Sequence, residues 1–207
     1  MHVNVIKKMN DREYKNILMK KKGLGFKIQE FGSIDVSSMI DTLESITDEQ
    51  WLEKDGRQEI HDVHSNTQSL LLIWPSEIVL REHIKGEINH KNYDMFNMKE
   101  FLESIKPMYQ QRFGEGEFYR ASITRLKPKS NIERHTDTYY TLLKCRRTHI
   151  PLVTNNDIKF LVEGKNHSLK VGKIYELNNA LHHSVRNESD EYRIHLILDY
   201  VPNNNSL

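Results

Sequence analysis

The stretch YRIHLILDYV, residues 192–201, decides the fold. Read with period two, Arg193 and His195 fall on one face while Ile194, Leu196 and Leu198 fall on the other, as in a β-strand. Working back along the chain, five further runs of β type follow Gly114 and Gly116: FYRASITRL (118–126), THIPLV (148–153), IKFLV (158–162), LKV (169–171) and KIYEL (173–177). Turn signals such as EGKN and VGK separate them. Six short runs inside about 85 residues predict antiparallel strands closing into a barrel or jelly roll.

Upstream of Gly114 the period changes. Met39, Ile40, Leu43, Ile46 and Trp51 recur at helical steps between Ser37 and Trp51, with acids in the gaps. A second helix fits 97–113, where Met98, Phe101, Leu102, Ile105, Met108 and Tyr109 form one apolar stripe; Pro107 is expected to kink it or end its first part. The expected fold is therefore mainly β with a helical N-terminal part. One domain spans 1–207, with a mostly helical layer over 1–115, a barrel core over 116–202 and a disordered polar tail, NNNSL, over 203–207.

The composition excludes several partners. The 30 Lys and Arg nearly balance 29 Asp and Glu, so no net field draws the chain to nucleic acid or anionic lipid. The basic run KKMNDREYKNILMKKK (7–22) reads as a solvated helix or frayed tail rather than a nucleic-acid arm. Cys145, the single cysteine, cannot form an internal disulfide, and it reads as an ordinary strand residue rather than a reactive thiol. Residues 1–30 hold no apolar run of signal-peptide type, and the strongest apolar run, LLLIW (70–74), meets Pro75 at once. A cytoplasmic location and no membrane span are expected; the oligomeric state is not legible.

Chemistry concentrates in ERHTDTYYTLLKCRRTH, residues 133–149. His135 and Asp137 stand at i and i+2, on one face of a strand or its end, where both reach a single ion. A third donor is offered by LHHSV, 48 residues on (183 minus 135), if antiparallel pairing brings a late strand beside an early one. Two imidazoles and a carboxylate form the facial triad of non-haem Fe(II) oxygenases, although Zn(II) fits such donors too. Arg147 and His149 share a strand face, as Arg193 and His195 do. Such a face costs several kcal/mol if buried unpaired, so it must be solvated, ion-paired or turned toward an acidic ligand.

From Arg120 to Pro202 the sequence resembles the aspartyl/asparaginyl β-hydroxylase family of Fe(II)- and 2-oxoglutarate-dependent dioxygenases, whose bacterial relatives include free-proline hydroxylases. The resemblance is carried by TRLKPKSNIERHTD, RTHIPLV, GKIYELNN and HHSVRNESDEYRIHLILDYVP; with VHSNTQSLLL and Trp74 it covers roughly residues 45–202. It implies a double-stranded β-helix, the jelly-roll or cupin-like barrel, with Fe(II) held by His135, Asp137 and the histidine before S-V. That is His183, since the family's distal arginine follows this ligand by ten residues and 193 minus 183 is ten. His182 would then flank the pocket. The resemblance further implies that Arg193, helped by Thr124, binds the distal carboxylate of 2-oxoglutarate, and that Arg147 and His149 lie near its other end, the diacid supplying charge that these faces lack.

The implied activity hydroxylates an amino-acid residue in a peptide or protein, or a free amino acid, using O2 and releasing succinate and CO2. The rival readings are a non-catalytic cupin-like binding barrel and a zinc-dependent enzyme with the same His/Asp/His site. His61 and His64 have the i, i+3 spacing of a helix-borne pair but no third donor, and read as structural or substrate-side. Trp51 and Trp74 read as core anchors, and Arg81, Arg112 and Arg120 as solvated charges able to meet an acidic substrate.

Overall fold

The computed structural model describes residues 6–7, 10–53, 65–75, 83–84 and 86–203. The chain begins with β1 (Ile6–Lys7), α1 (Asp11–Lys22), β2 (Ile28–Ser33), α2 (Ser37–Glu44), α3 (Asp48–Leu52), β3 (Thr67–Pro75), β4 (His83–Ile84) and β5 (Gly86–Ile88). Next come α4 (His90–Met95), α5 (Met98–Phe113), β6 (Gly116–Leu126), β7 (Ser130–His135), α6 (Tyr140–Lys144) and β8 (Arg146–Val153). The chain closes with β9 (Ile158–Val162), β10 (Lys165–His167), β11 (Lys173–Leu177), β12 (His183–Asn187) and β13 (Arg193–Pro202).

Two antiparallel sheets form the jelly roll. The major sheet has the order β2-β11-β8-β13-β6-β3-β5 and the minor sheet β10-β9-β12-β7. Between them lies a core of Leu126, Tyr175 and Leu177 from the major sheet and Ile132, Ile158, Phe160, Val162 and Val185 from the minor. The opposite face of the major sheet, with Ile123, Ile150, Leu152, Leu196 and Leu198, is covered by helical residues Met39, Leu43, Trp51, Leu102, Ile105 and Tyr109. The alternation read in residues 192–201 thus separates two interiors: an apolar one under the helices, and one between the sheets that holds Arg193 and His195. At Gly32 an added Cβ would sit 2.0 Å from Met108 Sδ, so a side chain at this point of β2 would have to displace the Met108 side chain of α5.

Several expectations need correction. The helix expected over 37–51 is two helices, because Thr47 caps a new one: its Oγ1 accepts from Gln50 N while Gln50 Oε1 accepts from Thr47 N, a capping box. Pro107 does not end α5; Pro107 and Glu103 are both exposed, so the carbonyl deprived of its donor meets water. LKV is not a strand; β10 lies just before it, at Lys165–His167. The N-terminal part also contributes β2 and β3 to the major sheet. LLLIW belongs to β3, which is buried on both faces and so shows no alternation. The run 7–22 carries a helix as expected, but Lys21 is buried rather than solvated. His2, His61, His64, Arg81 and the tail 204–207 lie outside the described residues.

Candidate active site

The strand pairing that brings the candidate ligands together is β7 with β12, where His135 and His183 are Cα partners. Their rings lie 4.4 Å apart. Each Nδ1 is bonded to the carbonyl two residues earlier, His135 to Glu133 O at 2.7 Å and His183 to Leu181 O at 3.0 Å. A carbonyl only accepts, so Nδ1 carries the proton and each Nε2 keeps a free lone pair. Those lone pairs face Asp137, with His135 Nε2 3.8 Å from Oδ1 and His183 Nε2 3.4 Å from Oδ2. One donor atom from each residue lies within 4.8 Å of the others. Donors held at about 2.1 Å from one ion are about 3 Å apart when adjacent, so a small closure completes the site. Among the described residues no other such cluster occurs.

Asp137 is held from both sides. Arg147 Nη1 donates to its carboxylate, while the same guanidinium grips Asp199 with Nε to Oδ1 and Nη2 to Oδ2, both at 2.8 Å. Burial pushes the Asp137 carboxyl up, but the Arg147 guanidinium outweighs it and holds its pKa well below the usual range. On the backbone side, Asp137 N donates to Asn179 O at 2.9 Å and Asn179 Nδ2 donates to Asp137 O at 2.8 Å. Asn179 is in turn fixed by Lys21, whose Nζ donates to Asn179 Oδ1 at 2.6 Å, Cys145 O at 2.7 Å and Leu142 O at 2.8 Å. All three ammonium donors are therefore used, although burial lowers the Lys21 pKa to about 7.

A polar strip continues along the inner face of the major sheet. Register places His195 opposite Thr124 and Arg193 opposite Leu126 on β6, and Ile197 opposite His149 on β8. Arg193 and His195 are each 1% exposed, and His149 is 6%. Arg193 Nη2 donates to His195 Nδ1 at 2.6 Å, which leaves the His195 proton on Nε2. That Nε2, Arg193 Nε and both nitrogens of His149 are buried without a hydrogen-bond partner. Unpaired buried donors cost about 1–3 kcal/mol each. Burial, reinforced by the Arg193 charge, holds both histidines well below their ordinary pKa of 6.5, so they are neutral. Among the described residues the strip thus presents a cation with no carboxylate beside it and neutral N–H groups left unpartnered, a donor set that fits a carboxylate-bearing ligand.

The model of the family described as aspartyl/asparaginyl beta-hydroxylase matches residues 43–202. The chain belongs to the aspartyl/asparaginyl β-hydroxylase family. A search of curated proteins finds no match. Among solved structures, this family member resembles a 2-oxoglutarate/Fe(II) oxygenase-family oxidoreductase from Burkholderia pseudomallei, at 13% identity and TM-score 0.58, over 97% of this chain and 95% of that one. A prolyl-4-hydroxylase from Pseudomonas putida is similar at 11% identity and TM-score 0.51, over 91% and 98% of the two chains. At these identities the likeness is one of fold.

In this β-hydroxylase-family chain His149 lies 5.7 Å from His195, ring to ring, but not every residue singled out from sequence stands as expected. Arg147 does not lack charge, since Asp137 and Asp199 neutralise it. Thr124 stands opposite His195 on β6, its Oγ1 3.1 Å from Ser69 Oγ. His182 flanks the cavity beside His183, with its ring Nδ1 3.3 Å from Glu163 Oε1 at the surface. Cys145 is buried, and its thiol is pushed up to about 12 by burial first and Asp199 second, which rules out a low-pKa nucleophile. Arg112 pairs with Glu176. Trp51 is a core residue, whereas Trp74 is half-buried beneath the Arg120 guanidinium. The sequence reading missed Lys21, Asn179 and Asp199.

Proposed function

We propose that this β-hydroxylase-family chain is an Fe(II)- and 2-oxoglutarate-dependent dioxygenase acting on an amino-acid target, as a residue in a peptide or protein or as a free amino acid, with 1–207 serving as one catalytic unit. The net reaction converts substrate C–H, 2-oxoglutarate and O2 into C–OH, succinate and CO2. The observation that carries this reading is the pairing of a three-donor cluster with unneutralised Arg193 in the same interior. A zinc hydrolase has no need of that buried cation, and a barrel that only binds an acid has no need of the three donors.

His135 and His183 would hold the ion through Nε2, their Nδ1 protons fixed on carbonyls so that no proton competes for the lone pair. Asp137 supplies the anionic donor, and its low pKa keeps it ionised. Arg147 fixes the orientation of that carboxylate and limits the charge it presents. Arg193 would anchor the distal carboxylate of the cosubstrate, and neutral His149 and His195 would donate to its oxygens without adding charge. Phe160, Leu126, Tyr175 and Leu177 line the same interior and exclude water. Bound Fe(II) and 2-oxoglutarate supply the oxidation, one oxygen atom going to the substrate and the other to succinate.

Anaerobic addition of Fe(II) and then 2-oxoglutarate tests this directly. A visible metal-to-ligand charge-transfer band, followed on aeration by succinate release, is expected; a colourless protein that binds Zn(II) tightly contradicts it.

A further inference from the structure

Arginines near the interior are mostly neutralised. Arg112 and Arg146 meet Glu176, Arg125 meets Asp48, and Arg147 meets Asp137 and Asp199. Arg193 and Arg120 have no carboxylate among the described residues. Arg193 is accounted for by the cosubstrate, whereas Arg120 belongs to the opposite end of the same strip. On β13 and β6, Arg193 pairs with Leu126 while Asp199 pairs with Arg120, six residues along each strand. That is roughly 20 Å at about 3.4 Å per residue, well beyond the reach of one small diacid.

Arg120 stands opposite Asp199, whose carboxylate grips the arginine that holds Asp137, so it faces the candidate metal end. A register shift at Asp199/Tyr200 re-aims this end of β6, as bulges beside active sites do. The guanidinium lies 5.1 Å from the Trp74 ring centroid and 5.3 Å from that of Tyr119. Its Nη2 reaches Thr141 Oγ1, four residues after Asp137, only at 3.4 Å. Its Nε is buried without a hydrogen-bond partner, and the Tyr119 hydroxyl, which makes no well-formed bond of its own, lies beside the same guanidinium. A cation stacked on an indole beside a hydroxyl, with its fork unsaturated, matches the planar geometry of a carboxylate.

We propose that Arg120, with Trp74, Tyr119 and Thr141, forms the subsite that receives a carboxylate of the substrate, either the α-carboxylate of a free amino acid or the side chain of an acidic residue. This rests on the dioxygenase reading above. The subsite is distinct from the cosubstrate's and orients the substrate against the metal end of the interior.

The test uses the full chain with Fe(II), 2-oxoglutarate and O2, and a panel of free L-amino acids, their α-amides, and blocked peptides with or without Asp or Glu. Products with one added oxygen are read by mass spectrometry. Product is expected only from members bearing a carboxylate, and whether free acids or acidic peptides react identifies its source. Arg120→Leu raises KM for the reactive member on the order of 100-fold, Arg120→Lys less so, while both keep the anaerobic charge-transfer band and wild-type affinity for 2-oxoglutarate. Equal turnover of amides, an unchanged KM in Arg120→Leu, no product from any carboxylate while the band forms, or loss of the band in both variants overturns the subsite. Absence of the band in the wild type overturns the dioxygenase reading, and the subsite with it.

Discussion

Lys21 Nζ donates to Asn179 Oδ1 at 2.6 Å, and through that bond the N-terminal helix holds the backbone of Asp137. Lys21 and Asn179 touch no candidate donor atom; they position one. Replacing Lys21 by Met removes the ammonium bond from the Cys145 carbonyl and from Asn179 Oδ1, and leaves the Leu142 carbonyl only its bond from Asn179 Nδ2. Lys21→Met is expected to weaken Fe(II) binding at least 10-fold, with a smaller effect on 2-oxoglutarate affinity once iron is saturating. Calorimetric titration of both ligands checks the split, and equal loss of both would indicate a general structural defect.

His182 and His183 are neighbours with opposite directions. His183 is 6% exposed and faces Asp137, whereas His182 faces Glu163 at the surface. His183→Ala is expected to abolish iron retention and turnover, and His182→Ala to retain both within a few-fold. Metal content after desalting, measured by emission spectrometry, decides between them; retention by the first and loss by the second would reverse the ligand choice.

Among the described residues Arg193 has no carboxylate to neutralise it, so its partner is expected from outside. Arg193→Leu should raise the Kd for 2-oxoglutarate about 100-fold while Fe(II) binding persists, and Arg193→Lys should recover only part because a point charge lacks the planar fork. The charge-transfer band, titrated anaerobically, reports both constants.

The buried histidines also set an acid limit. His149 and His195 are held neutral by burial and by Arg193, so their folded pKa values lie well below 6.5 while the unfolded chain titrates near 6.5. Below 6.5 the unfolded state therefore binds more protons. This contribution to stability is complete above 6.5 and declines as pH falls, by up to about 1.4 kcal/mol per pH unit for each group. Denaturant melts of the metal-free chain between about pH 8 and pH 5 should show that slope, reduced in His195→Phe.

The sequence made some of this legible and concealed the rest for identifiable reasons. β13 showed its alternation because one face meets helices and the other a polar channel. β3 did not, since both of its faces are buried and no period survives. β7 and β12, which bring His135 and His183 together, are too polar to read as core strands, so they emerged only through the spacing of their ligands. Lys21 reads as a surface residue because its three partners lie 121–158 residues away, beyond any local pattern. The family motifs located Arg147, but only folding showed that Asp199 already shares it.

The central claim is one ion held by His135, Asp137 and His183 with a diacid stretched to Arg193. A crystal structure of the chain grown anaerobically with Fe(II) and 2-oxoglutarate measures it most directly. A single metal is expected at about 2.0–2.2 Å from His135 Nε2, an Asp137 oxygen and His183 Nε2, with the far carboxylate of the diacid against the Arg193 guanidinium. Metal bound elsewhere, or a diacid that leaves Arg193 unpartnered, would contradict it.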